Sequence, residues 1–128
     1  MAFRVEIAPQ AFNDLDDIAE YIKRNGSFDQ AEQWFNGIVD AIRTLEDMPS
    51  RSPIADESAE LGQEVRLLLY GKRNRRYKIY YAIQQETPST GTVRVFHVRH
   101  WARERLSADE VRKLMDETAD DTEAGEDS

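Results

Sequence analysis

The chain has no cysteine among its 128 residues, so it builds neither a disulfide framework nor a thiolate metal site. It has only two histidines, His97 and His100, and no ordered carboxylate spacing accompanies them; neither a metal site nor a cofactor is expected. It lacks any apolar run near the ~20 residues that a membrane-spanning helix requires. The opening MAFRVEIAPQ lacks the long apolar core of a secretory signal, so a cytoplasmic location without a membrane partner is expected. The length fits one domain, and a chain of this size buries roughly two-thirds of its unfolded surface, enough for a core without covalent staples.

Charge is plentiful but unevenly placed, and the net value of −8 hides this. Residues 1–63 carry five Lys/Arg against thirteen Asp/Glu. Residues 64–107 carry ten basic residues against three acidic ones, and residues 108–128 two against nine. A basic island therefore lies inside an acidic protein. Local field, not total charge, steers association, so the island points to an anionic or protein partner unless it is simply a solvated surface.

Hydrophobic spacing supplies the elements. Phe3-Arg4-Val5-Glu6-Ile7 alternates with the period of a half-buried strand. Pro9 suits the first position of a helix, and Ala11, Phe12, Leu15, Ile18, Ala19 and Ile22 follow on one helical stripe that Asn25-Gly26 ends. Ser27 and Gln30 have capping-box spacing before a second stripe of Ala31, Trp34, Phe35, Ile38, Ile42 and Leu45, which stops before Pro49. The short connection makes an antiparallel helical hairpin. Residues 49–62 form a loop. The period then becomes two: Val65, Leu67 and Leu69 share one strand face, Gly71-Lys72-Arg73-Asn74 is a turn, and Tyr77, Ile79, Tyr81 and Ile83 alternate in a strand over 75–85. Residues 86–91 make another turn, and 92–100 a third strand with Val93, Val95, Phe96 and Val98. Ser107 and Glu110 predict a short C-terminal helix carrying Val111, Leu114 and Met115.

The expected fold is α+β, in the order β-α-α-β-β-β. An N-terminal strand and a helical hairpin precede a three-stranded antiparallel meander, which offers an apolar face to the hairpin. Residues 1–115 form the domain. Residues 116–128, dense in Asp and Glu and without a bulky apolar side chain, form an acidic tail expected to be disordered in isolation.

These segments, taken in order, resemble the RelE/ParE toxin superfamily over about residues 3–106. FRVEIAPQAFNDLDDIAEYI is similar to the family's first strand and helix, and AEQWFNGIVDAIRTLEDMPSRSP to its second helix and Pro-containing loop. VRLLLYGKRNRRYKIYYAI is similar to the central hairpin. GTVRVFHVRHWARERL is similar to the closing strand, with a His-x-x-Arg element at His100-Trp101-Ala102-Arg103. The resemblance implies a growth-inhibiting toxin of a type II toxin–antitoxin (plasmid stabilisation) module, neutralised by a cognate antitoxin encoded beside it. ParE-like members poison DNA gyrase, whereas RelE-like members cleave messenger RNA on the ribosome. Contact with DNA is implied only indirectly, through the antitoxin complex. One fold serves both branches, so chemistry must choose between them.

Cleavage of RNA by its own 2′-hydroxyl needs a general base, a general acid and cations for the phosphate charge. If the chain is a nuclease, the residues for this are His100, Arg103, Lys78 and Arg76. Two features weigh the other way. In an ideal strand His97 and His100 point to opposite faces. Many RNA-cleaving relatives carry a Tyr near the end of the last strand or the C-terminus, yet here Trp101 stands there and no Tyr follows Tyr81. An indole N–H only donates and cannot serve as acid or base. The expectation is therefore a gyrase-binding toxin, more a binding poison than an enzyme. Its target or antitoxin contacts are expected among Lys72, Arg73, Arg75, Arg76, Arg99, Trp101, Arg103 and Arg105. The alternatives are a ribosome-dependent endoribonuclease and a degenerate toxin kept as a binding module. His97 is expected to be a sheet histidine hydrogen-bonded in place, Tyr77, Tyr80 and Tyr81 to pack the sheet, and Trp34 and Phe35 to fill the hairpin core.

Overall fold

A computed structural model describes residues 3–56, 58, 64–72 and 76–100. The elements are β1 (Phe3–Ile7), α1 (Pro9–Asn25), α2 (Phe28–Arg43), two single 3₁₀ turns (Thr44–Glu46 and Pro49–Arg51), β2 (Arg66–Tyr70), β3 (Tyr77–Thr87) and β4 (Thr90–His100). This is the expected order. The C-terminal helix and the acidic tail lie outside the described residues.

Local chemistry sets the element ends. Pro9 opens α1. Gly26 follows α1 at φ −141°, not in the left-handed conformation that a glycine C-cap usually adopts. Ser27 Oγ accepts the Gln30 amide at 3.1 Å and so caps α2. Gly71, at φ +104°, turns the chain out of β2 in a conformation that a side chain would resist. The β3–β4 turn is tighter than expected. Thr87 pairs with Thr90 and only Pro88-Ser89 lie between, so both strands run further than their apolar alternation indicated.

The sheet order is β1-β4-β3-β2. The meander is antiparallel, and β1 runs parallel to β4, Phe3 opposite Gly91 through Ile7 opposite Val95. Sequence periodicity did not reveal that pairing. The helical hairpin covers one face. There Leu15, Ile38, Ile42 and Leu45 pack on Ile79, Tyr81, Val93, Val95 and Val98 in the main core. α2 approaches the sheet closely at Gly37, where a Cβ would collide with the Tyr70 hydroxyl.

One expectation needs correction, and two details go beyond what the alternation of the strands indicated. Phe12 lies on the flank of the α1 stripe and is 48% exposed, because the sheet is reached by Ala11 and Leu15 instead. Val65, Leu67 and Leu69 do share a face, but it is the face away from the helices. Leu68 and Tyr70 reach the main core, while Val65 and Leu67 join Tyr80 and Phe96 in a smaller cluster with Ala8 and Ala55. Finally, the pairing skips a residue between Tyr80–His97 and Tyr81–Val95. Phe96 is the extra residue of this bulge and turns its ring to the second cluster.

The loop after α2 is fastened to the sheet by buried polar groups. Tyr81, fully buried, donates its hydroxyl to Pro49 O at 2.5 Å. Arg66 donates to Ser52 O at 2.6 Å and Ser50 O at 3.0 Å. The Ser58 hydroxyl bridges to the Val65 backbone in both directions. Residues 53–55 cover the outer edge of β2 through Ala55 N–H to Val65 O and Leu67 N–H to Pro53 O. Burial pushes the Tyr81 phenol above its ordinary value, partly opposed by a hydrogen bond with Ser52 and by the charges of Arg66 and Arg51. A phenol raised in the folded state leaves stability unaffected below the unfolded value of about 10. Above it the unfolded chain loses the proton first, so stability falls as pH rises toward the folded value. Denaturant melts from pH 8 to 11 are expected to show this alkaline loss. Tyr81→Phe is expected to flatten it at a cost of about 0.5–1.5 kcal/mol near neutrality, from the lost hydrogen bond. An unchanged alkaline slope would contradict the assignment.

Candidate functional site

Alternation along the strands sorts the basic residues onto the sheet face opposite the helices. Lys78 and Arg99 are direct partners across β3 and β4, and Leu69, 42% exposed, completes their row on β2. Along the same face, Arg4 on β1 donates to Thr92 Oγ1 at 3.1 Å, and Arg94 on β4 contacts Glu6 at 2.7 Å. Arg4, Glu6, Gln84, Thr92 and Arg94 rim a shallow depression of about 270 Å³. Lys72 and Arg76 stand exposed at either side of the β2–β3 turn. The helical layer has the opposite sign: Asp16, Asp17, Glu20, Asp29, Glu32 and Asp40 all point to solvent.

The histidines fall on opposite faces, as their spacing predicts. His100 lies on the helix side, edge-on to Tyr77 at 5.1 Å, and Tyr77 in turn meets Trp34 edge-on at 5.1 Å. The Trp34 indole N–H is buried without a hydrogen-bond partner among the described residues. His97 stacks on Tyr80 at 6.0 Å on the other face. Its Nδ1 lies 2.7 Å from Asp14 Oδ2, a close ionic contact when the ring is protonated but not an in-line hydrogen bond. That same carboxylate oxygen accepts the Val98 amide at 3.0 Å, and Oδ1 accepts from Gln10 at 3.0 Å. Strand β1 covers β4 only as far as Val95, so Asp14 supplies an acceptor on the edge that β1 leaves open.

No match occurs among the curated proteins. The family model described as the ParE toxin of the type II toxin–antitoxin system parDE matches residues 5–105. The chain belongs to the ParE toxin family. A solved structure titled the chromosomal ParDE TA system from P. aeruginosa has a similar fold, with a TM-score of 0.61 at 12% identity, covering 77% of this chain and 95% of that one.

Of the residues expected to act in this ParE-family toxin, the fold brings Lys78 and Arg99 side by side and places Lys72 and Arg76 at the adjoining turn. It puts His100 on the other face from Lys78. Arg73, Arg75, Trp101, Arg103 and Arg105 lie outside the described residues. Among the described residues no group of three or more His, Asp or Glu could hold a metal ion, and no helix is long and apolar enough to cross a membrane.

Sequence reasoning passed over Asp14 and the Arg4–Glu6–Arg94 end of the basic face. A signal for Asp14 was present: a carboxylate at position 14 interrupts the helical stripe of Ala11, Leu15 and Ile18. A charge there needs a buried partner. Asp14→Ala is expected to cost about 1–3 kcal/mol, because it leaves the Val98 N–H unsatisfied. It should also speed hydrogen exchange at Val98 well beyond that of β3 amides, measured by NMR. Protection at Val98 equal to the parent's would refute this role.

Proposed function

We propose that this ParE-family chain is the growth-inhibiting half of a cytoplasmic toxin–antitoxin pair, acting by binding DNA gyrase, and that a cognate antitoxin neutralises it. The observation that carries the choice of mechanism is the separation of the imidazoles. A ribonuclease of the expected kind needs base, acid and phosphate-binding cations converging on one scissile bond. Here His97 is engaged by Asp14 at the sheet edge. His100 packs against Tyr77 on the helix side, while Lys78 and Arg99 stand on the open face. A rigid sheet with a basic face suits recognition of a surface better than proton transfer, and a positive patch speeds encounter with an anionic one.

Expression from a tightly repressed promoter tests the reading. Gyrase poisoning predicts induction of the DNA-damage response and filamentation, relieved by co-expression of the antitoxin. Arg103→Ala is expected to weaken the phenotype without loss of soluble protein. Messenger RNA cut at defined codon positions, with no DNA-damage response, would replace this reading with the ribosome-dependent nuclease. Normal growth would leave a binding module.

A further inference from the structure

The helical hairpin is longer than the sheet it covers. Ala8 N–H donates to Val95 O and Asp14 accepts the Val98 amide, so α1 runs along β4 in the same direction. Beyond the second contact β4 has only about 7 Å left before His100, whereas α1 continues for about 16 Å to Asn25. The tip of the hairpin therefore projects roughly 10 Å past the last row of the sheet, Tyr70–Tyr77–His100. Both core-facing stripes run on into this projection. Ile22 follows Ala11, Leu15 and Ile18 at helical spacing, and Phe28 precedes Ala31, Phe35 and Ile38. Neither Ile22 nor Phe28 belongs to either hydrophobic cluster, and Phe28 is 62% exposed. Trp34 sits at the inner margin of the projection, against Tyr77, and its buried indole N–H has no hydrogen-bond partner among the described residues. The turn at 71–76 leaves the same end of the sheet, but its sequence, Gly-Lys-Arg-Asn-Arg-Arg, has no apolar side chain to offer.

The chain brings an apolar segment to this end. The family match stops at residue 105. Leu106, Val111, Leu114 and Met115 follow, the last three on one helical stripe behind the capping-box spacing of Ser107 and Glu110. No bulky apolar residue comes after them. Residues 101–105 separate His100 from Leu106 and reach up to about 17 Å, more than the projection requires. Arg112 and Lys113 flank the stripe and are opposite in charge to the exposed carboxylates of Asp29 and Glu32 at the start of α2. We propose that segment 106–115 folds as a helix beneath the hairpin tip and packs its stripe on Ile22, Phe28 and Trp34. Residues 101–105, with Trp101, Arg103 and Arg105, are then a loop held at both ends, which restrains side chains expected to meet a partner. The inference does not depend on gyrase being the target.

The test keeps the full chain. Because the sequence has no cysteine, one introduced thiol carries a single nitroxide label. Asp116→Cys places it just past the stripe. Docking predicts loss of the amide NMR signals of Ile22, Phe28 and Ala31 in the labelled chain, while Thr87 and Thr90 at the far end of the sheet keep theirs. Val111→Asp with Leu114→Asp, in the same labelled chain, is expected to restore the lost signals. Phe28→Asp is expected to restore those of Ile22 and Ala31 from the other side of the contact. Unchanged signals at Val93 and Val95 show in each variant that the sheet is intact. The Trp34 indole N–H signal is also expected to shift when the two aspartates are introduced. Full intensity at the hairpin tip of the labelled parent, or broadening that survives the aspartates, overturns the proposal. Broadening in an isotope-enriched chain without nitroxide, mixed with a nitroxide chain at natural abundance, would assign the segment to a second copy instead.

Discussion

When Phe3–Ile7 pair in parallel with Gly91–Val95, a strand at the start of the chain is locked to one near the far end of the described fold. Parallel strands cannot be joined by a tight turn, so everything between them has to travel. The helical hairpin is held over one face of the sheet by that closure. Loop-closure entropy grows only logarithmically with length, so such a long connection costs little more than a moderate one. The burial of Leu15, Ile38, Ile42 and Leu45 against β3 and β4 more than offsets it. Because β1 is about half as long as β4, the pairing also leaves an open edge beyond Val95. Asp14 meets that edge from α1, accepting the Val98 amide and contacting His97. The contact that holds His97 therefore depends on how far β1 extends.

The alternation of Tyr77, Ile79, Tyr81 and Ile83 and the stripe through Ile38 and Ile42 made strands, helices and their order legible in the sequence. Period-two and period-3.6 patterns report which side chains share a side. They do not report which side becomes covered, and this is why Val65, Leu67 and Leu69 were grouped rightly yet belong to the smaller cluster. They are also blind to an inserted residue, and Phe96 is visible as a bulge only once β3 is laid beside β4. The partner of β1 was illegible for the same reason: strand pairing is a long-range choice that local spacing does not encode.

The site divides in a similar way. The clustering of basic residues in 64–107 is plain from charge counts, and the three-residue separation of His97 and His100 by itself predicts opposite faces. Sequence could not show that Lys78 and Arg99 are immediate neighbours, nor that Arg4 and Glu6 from the opposite end of the chain extend the same face. What emerges is a molecule with two electrostatic sides. Carboxylates line the outer surface of the helical layer, and the open sheet face is basic. Salt weakens association on either side unless apolar burial accompanies the charge.

On the proposed reading the chain holds a target and does not turn over a substrate. The most direct measurement incubates the purified protein with DNA gyrase and supercoiled plasmid, then removes protein with detergent and protease and resolves the plasmid on a gel. Gyrase poisoning predicts linear, cleaved plasmid that accumulates with stoichiometric amounts of the protein and is absent when gyrase is omitted. Plasmid that stays uncleaved and is supercoiled by gyrase at its normal rate would contradict it.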